Sequence, residues 1–309
     1  MKRDEGPVLF LDSGIGGLPY LRHFRERNPD EDLVYAADRR NFPYGSKDKD
    51  TLTELLSSLL LQLIRISHPK LAVLACNTAS VSALESLRKA FPSLPFVGTV
   101  PAVKPAVLNS RTGLAGVLGT ERTIADEYIQ ALAKKINPAC RVMGAAAPEL
   151  VEFVEHVMDG ASKAERLDVI RPYVEKFRVA GADSIVLGCT HFLFLLDEFR
   201  ELAGKDMTVY DSISGVASRA ESLLSRQGLR RGGGPHEKVP RGEGPHGKGL
   251  EEGPDGGPGE EGPGKKVFYG KTARCFLTGG EEPGAAWEKR AEAFGLSVVL
   301  LDRVCGEAL

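Results

Sequence analysis

Two short stretches of this chain are built alike, and any fold has to accommodate both. Leu71-Ala-Val-Leu-Ala-Cys76-Asn77-Thr78-Ala79-Ser80 begins with five apolar residues, suited to a strand buried on both faces. One Cys and a cluster of small polar residues follow. Then Val81, Leu84, Leu87, Ala90 and Phe91 recur at three- and four-residue steps, a helical pattern that Thr78 or Ser80 is placed to cap. Ser184-Ile-Val-Leu-Gly188-Cys189-Thr190-His191 repeats the plan, with a helix-like run through Leu195, Leu196, Phe199 and Leu202. Each cysteine therefore falls at the carboxyl end of a strand, facing a helix N-terminus. Open α/β sheets bind ligands there, and a helix start favours a thiolate. One reading is a pair of acid/base thiols facing each other across a cleft. The other is two small core residues, since free Cys is often simply buried. Either cysteine alone favours the core; the matched pair, with Asn77 and His191 placed alike, favours the cleft.

The rest of the chain alternates in the same way. Val8 to Leu11 is a short apolar strand running into Asp12-Ser13-Gly14-Ile15-Gly16-Gly17 and a helix through Leu21 and Phe24. The glycines let backbone N–H groups come close to a ligand. No Gly-Lys-Ser/Thr follows, so this is not a Walker loop, and Pro19 occupies the third glycine position of the dinucleotide fingerprint. Asp12 suits an ammonium group or a proton donor better than a phosphate; capping the helix after it is the alternative. Leu33–Ala37 is a second strand. In the loop after it, Tyr44 and Gly45 either line a site or merely turn the chain. Residues 95–100 form a fourth strand, and Pro101 and Pro105 mark a break.

A second series then begins. Leu114 to Leu118 is a strand, followed by a helix with Ile124, Tyr128, Ile129 and Leu132 on one face. Thr120 and Thr123 at its start could bond an anion or serve as caps alone. The glutamates of Glu149-Leu-Val-Glu-Phe-Val-Glu155 occupy the first turns of another helix, where its dipole welcomes acids. An amphipathic helix spans about 162–180. Residues 208–212 form a strand that should return the chain to the first unit, with a helix from about 214 to 226. More than half of residues 232–264 are Gly or Pro, without a Gly-X-Y period. This reads as a loosely ordered surface insertion that buries too little apolar area to offset its ordering entropy. The fold resumes at 266–280, with a helix at about 284–294 and a strand at about 297–301. The expected fold class is α/β: two doubly wound, mainly parallel-sheet domains with the active site in the cleft between them. The first comprises residues 1–98 plus 211–309, and the second 99–210.

Bulk properties narrow the function classes. A net charge of −2 argues against a general nucleic-acid surface. The apolar run at 8–11 is too short for a signal sequence, and the Leu-rich run at 55–66 carries polar residues and reads as a packed helix, not a membrane span. The five cysteines, 76, 140, 189, 275 and 305, are scattered and lack CxxC spacing. That fits reduced thiols in the cytoplasm.

Asp12-Ser-Gly-Ile-Gly-Gly17, Pro43-Tyr-Gly45, Ala75-Cys-Asn-Thr-Ala79 and Gly188-Cys-Thr-His191 together resemble the glutamate racemases of the cofactor-independent aspartate/glutamate racemase superfamily. Gly116-Val-Leu-Gly-Thr120 with Thr123 also fits. The resemblance implies interconversion of L- and D-glutamate without pyridoxal phosphate or metal, for peptidoglycan, by a protein that is a homodimer. It implies Cys76 on one face of the α-carbon, assisted by Asp12, and Cys189 on the other, assisted by His191. Ser13, Tyr44, Gly45, Asn77, Thr78 and Thr190 would hold the ammonium and carboxylates, with Thr120, Thr123 and Glu155 as further contacts. Two departures stand out: Leu193 follows Phe192 where the family commonly has Pro, and Pro19 stands where it commonly has Thr.

Other readings are an aspartate racemase or related isomerase, a phosphate-binding module using the glycine loops, and a metal site from Cys76, Cys189 and His191. The insertion, with the binding of DNA gyrase by some family members, also motivates a regulatory role.

Overall fold

The computed structural model describes residues 5–231, 273–279 and 282–306. The Gly/Pro-rich stretch and the expected resumption at 266 lie outside them. The apolar runs become strands and the periodic segments helices. In chain order the first group is β1 (Val8–Asp12), α1 (Leu18–Arg27), β2 (Leu33–Ala37), α2 (Lys49–Ser67), β3 (Leu71–Leu74), α3 (Asn77–Ala90) and β4 (Phe96–Gly98). The second is α4 (Val103–Asn109), β5 (Leu114–Gly119), α5 (Glu121–Ala125), α6 (Glu127–Ile136), β6 (Arg141–Ala146) and α7 (Pro148–Glu152). It continues through a π-helical turn (Phe153–Val157), α8 (Lys163–Val179), β7 (Ser184–Gly188), a 3-10 turn (Thr190–Leu195), α9 (Leu196–Ala203) and β8 (Thr208–Tyr210). The chain closes with α10 (Ile213–Arg226), β9 (Ala273–Leu277), α11 (Ala285–Ala293), β10 (Leu296–Leu300) and α12 (Leu301–Gly306).

The strands form two sheets, ordered β10-β9-β2-β1-β3-β4 and β6-β5-β7-β8. Every pairing is parallel. Parallel sheets need cover on both faces, which is why β1, β2, β3, β5 and β7 are buried along their whole length. Strand order reverses between β1 and β3 in the first sheet and between β5 and β7 in the second. At such a reversal the flanking helices leave on opposite faces, and a crevice opens beyond the carboxyl ends. The sites of Asp12 and Cys76 lie at the first reversal, those of Thr120 and Cys189 at the second.

Three expectations change. α3 begins at Asn77 with Cys76 itself in the capping position, so neither Thr78 nor Ser80 caps it. Ser80 lies inside the helix and bonds back to the carbonyl of Cys76 at 2.8 Å. The helix after β5 is two helices. Asp126 ends α5, and its carboxylate accepts from the N–H of Tyr128 at 2.9 Å, capping α6, while Tyr128 stays exposed. The strand at 208–210 pairs with β7 at the edge of the second sheet. The return to the first unit comes one element later: α10 packs on α1, and Tyr20 of α1 bonds Ser212 at 2.8 Å. No helix among the described residues is long and apolar enough to cross a membrane.

Candidate active site

A cavity of about 190 Å³ lies where the two reversals meet, and both Cys76 and Cys189 line it. Cys189 follows directly on β7 and Cys76 comes one residue after β3; each has β-region dihedrals and begins a helical turn. Ser13, Tyr44, Gly45, Asn77 and Thr78 line the cavity from the first sheet's side, and Thr120, Thr190 and His191 from the second. Asp12, Thr123 and Glu155 stand behind these lining residues. Sequence reasoning did not single out Pro148, Val151 or the rim acids Glu121, Glu149 and Glu152. They belong to α5 and α7, on the same side as Cys189, and their proximity to Cys76 depends on how the two sheets meet.

On the first side, Asp12 is fully buried at the end of β1. Its carboxylate accepts from the Ser13 N–H at 2.6 Å and from the Thr190 hydroxyl of the other sheet at 3.0 Å. Burial pushes its carboxyl up to about 6, against the opposing pull of His191 and these donors. The Cys76 thiol is pushed well above the usual thiol range, first by burial and then by the neighbouring Asp12 charge. The N–H of Ala79, in the first turn of α3, works the other way by bonding the sulfur. Cys76 is thus held as a thiol beside a carboxylate that titrates near neutrality.

On the second side, the Cys189 sulfur lies 3.9 Å from Nδ1 of His191, and Nε2 of His191 lies 3.0 Å from Oε2 of Glu155. Burial alone would lower the His191 imidazolium. Its bonds to Cys189 and Glu155 overcome that and raise it well above the ordinary histidine value. Burial likewise opposes the Glu155 charge, but His191, the Ile15 N–H at 3.0 Å and Arg290 together hold its carboxyl below the ordinary value. Glu155 does more than sit in a dipole-favoured turn: it is buried and is the far partner of the histidine. Its spacing from the other glutamates gave no sign of this.

The glycine loop allows the two sides to approach. A Cβ on Gly14 would stand 2.3 Å from Oε2 of Glu155. One on Gly16 would meet Thr190 Oγ1 at 2.4 Å and His191 Nδ1 at 2.6 Å. The loop is itself held by Tyr35, whose hydroxyl donates to the Gly14 carbonyl at 2.7 Å and accepts from the Gly17 N–H at 3.1 Å. Thr78 and Thr120 touch across the cleft with hydroxyls 3.0 Å apart, and Thr120 donates to Thr123 at 3.0 Å. Tyr44 donates to Asp38 at 2.8 Å, which also accepts from Thr278 at 2.6 Å, so the strand β9 end steadies the Pro43–Gly45 loop.

Among the described residues, no Lys or Arg lines the cavity. An anionic ligand would be met by hydroxyls, backbone N–H groups at the start of α3, and the Asn77 amide. Among the described residues, neither polar atom of that buried amide has a partner. Among the described residues, no three His, Cys, Asp or Glu are arranged to hold a metal ion.

The family model for Asp/Glu/Hydantoin racemase matches residues 20–220. A glutamate racemase of Roseiflexus sp. (strain RS-1) is 41% identical over 226 residues, 73% of this chain and 82% of that protein. A glutamate racemase of Brucella anthropi is 41% identical over 222 residues, 71% of this chain and 80% of that protein. Among solved structures, Escherichia coli glutamate racemase, in complex with L-glutamate and the activator UDP-MurNAc-ala, aligns with a TM-score of 0.72 at 26% identity, covering 96% of this chain and 98% of that chain. Thermus thermophilus glutamate racemase, in complex with beta-chloro-D-alanine, aligns with a TM-score of 0.63 at 25% identity, covering 97% of this chain and 98% of that chain.

Proposed function

The chain belongs to the Asp/Glu/hydantoin racemase family, and from that premise we propose that it is a glutamate racemase, interconverting L- and D-glutamate without an organic cofactor or metal. One observation carries the reading furthest: two cysteines, from the reversal points of two separate sheets, line one small cavity. A single base returns a proton to the face it came from. Inversion needs an acceptor on one face of Cα and a donor on the other, which two opposed sulfurs supply.

In this mechanism one sulfur, as thiolate, removes the Cα proton while the opposite thiol delivers its own to the other face. Asp12 exchanges protons with Cys76, and its near-neutral titration makes it a usable base there. His191, steadied by Glu155, does the same for Cys189. The Cα proton is far less acidic than a thiol, so the developing carbanion must be stabilised by donors aimed at the carboxylate. Ser13, Asn77, Thr78 and Thr190 are our candidates for the ammonium and α-carboxylate, and Tyr44, Gly45, Thr120 and Thr123 for the distal carboxylate. Glu155 acts through His191. The paired titrations belong to a coupled cluster and read out together.

The domain division at 98/99 and 210/211, a homodimer, a cytoplasmic setting and supply of D-glutamate to peptidoglycan complete the proposal; family membership supports the last three. Sedimentation of the purified protein tests the dimer.

The deciding experiment incubates each glutamate enantiomer with enzyme in heavy water. Solvent deuterium should appear at Cα of the product enantiomer. Cys76→Ser and Cys189→Ser should each slow racemisation roughly a hundred- to ten-thousand-fold, because an alcohol is a much weaker acid than a thiol. A single serine variant that racemises at the wild-type rate would end the two-thiol mechanism. Turnover of aspartate in preference to glutamate would move the protein to the aspartate branch of the family.

A further inference from the structure

Arg290 lies on α11, far along the chain from every motif of the site, and its side chain is only 10% exposed. Its guanidinium reaches the π-helical turn Phe153–Val157. Nη1 donates to the Glu155 carbonyl at 2.7 Å, Nη2 to the Val154 carbonyl at 3.4 Å, and Nε to the Asp159 carboxylate at 2.7 Å. A π turn is rare in proteins and concentrates at functional sites. This one carries Glu155 inward, where it accepts from the Ile15 N–H and meets His191 Nε2, each at 3.0 Å. The other ring nitrogen of His191 faces the Cys189 sulfur. A continuous set of polar contacts therefore runs from α11 to one of the two sulfurs.

We propose that Arg290 is a positioning residue for the Cys189 half of the reaction: its planar fork fixes the Phe153–Val157 turn and, through Glu155, the aim of His191 at the sulfur. The proposal rests on the racemase reading. A lysine cannot replace the fork, because one compact ammonium cannot span two carbonyls and a carboxylate that diverge in direction. The groups facing His191 are Glu155, Cys189 and Asp12, so its titration reports on the same contacts.

The test uses Arg290→Lys, with Arg290→Ala as the more severe variant. Primary deuterium isotope effects on kcat/KM are measured separately with Cα-deuterated L- and D-glutamate. Weakening proton transfer at one sulfur makes that transfer more rate-limiting. The effect should rise for the enantiomer that Cys189 deprotonates and fall for the other, with kcat reduced about 10- to 100-fold. A loss of folded protein alone would scale the rate and leave both isotope effects unchanged. In parallel, nitrogen-15 NMR of the substrate-free protein should show the His191 imidazolium titrating lower in the variants than in wild type. Variants matching wild type in both readouts would overturn the proposal. If wild type fails to racemise glutamate, the functional reading falls, while the His191 titration still decides whether Arg290 sets that histidine.

Discussion

Asp12 is a carboxyl held where burial works against its charge. Its folded value of about 6 lies above the ordinary 3.8, so the folded state binds this proton more tightly than the unfolded chain does. Asp12 therefore adds nothing unfavourable below about pH 4. It costs the fold progressively more as pH rises to about 6, levelling at about 3 kcal/mol above that. Asp12→Asn should raise stability at pH 7.5, measured by urea unfolding. The gain should stay below that figure, because Thr190 and Ser13 both donate to the carboxylate and an amide oxygen replaces only one acceptor. The same substitution should lower kcat/KM. In wild type, kcat/KM should fall as pH drops through about 6 and Asp12 takes up its proton, and this acid limb should vanish in the Asn variant. Retention of the limb would assign it to another group. A side chain that destabilises the fold while serving the chemistry is the pattern expected of a functional residue. Cys275 is the opposite case: buried within β9, its thiol is pushed up to about 12 by burial, and it does not line the cavity.

Between β1 and α1, the glycine loop shows what a motif conceals about its own purpose. From the residues alone, the glycines read as making room for a ligand. In the fold, Gly14 and Gly16 make room for Glu155, Thr190 and His191, all arriving from the other sheet. Nothing local to residues 12–17 encodes that arrival, which is why the helix pattern alone read Glu155 as an acid in the first turns of a helix and only the family resemblance placed it near the site. Gly16→Ala puts the reasoning to a test. Its Cβ would fall 2.4 Å from Thr190 Oγ1, 2.6 Å from His191 Nδ1 and 2.7 Å from Asp12 Oδ2, all on buried side chains with little freedom to retreat. The variant should lose about 1–3 kcal/mol of stability through overpacking, and its racemase rate should fall more than its folded fraction does. Gly215→Ala, exposed within α10 with nothing within 4 Å of the added carbon, is the control and should keep wild-type activity with no loss of stability. Full activity in Gly16→Ala would show that the two sides do not need so close an approach.

At the scale of the whole molecule, alternation of apolar runs and helical periods sufficed to foresee parallel sheets, because buried parallel strands and their crossover helices leave strong local patterns. The position of Cys76 and Cys189 at strand ends was legible for the same reason. The meeting of the two sheets was not, since it depends on contacts between residues distant in sequence, such as Thr190 with Asp12 and Thr78 with Thr120. Those contacts hold the cleft at a width that lets both sulfurs share one cavity. The Thr78–Thr120 pair offers a clean measure of that coupling, because its hydroxyls meet directly from opposite sides. Thr78→Val, Thr120→Val and the double variant form a cycle in which the bond of Thr120 to Thr123 cancels. A buried hydroxyl pair that ties the sides together without substrate should give a coupling of about 0.5–1.5 kcal/mol in unfolding free energy. Thr120→Val should lose more than Thr78→Val, since it takes from the buried Thr78 hydroxyl the partner it has across the cleft, whereas the Thr120 hydroxyl keeps its bonds to Thr123 in Thr78→Val. A coupling indistinguishable from zero would mean that the pair merely touches. The closed cleft would then rest on the Asp12–Thr190 and Glu155–Ile15 bonds, both of which join the first sheet's glycine loop to the second side.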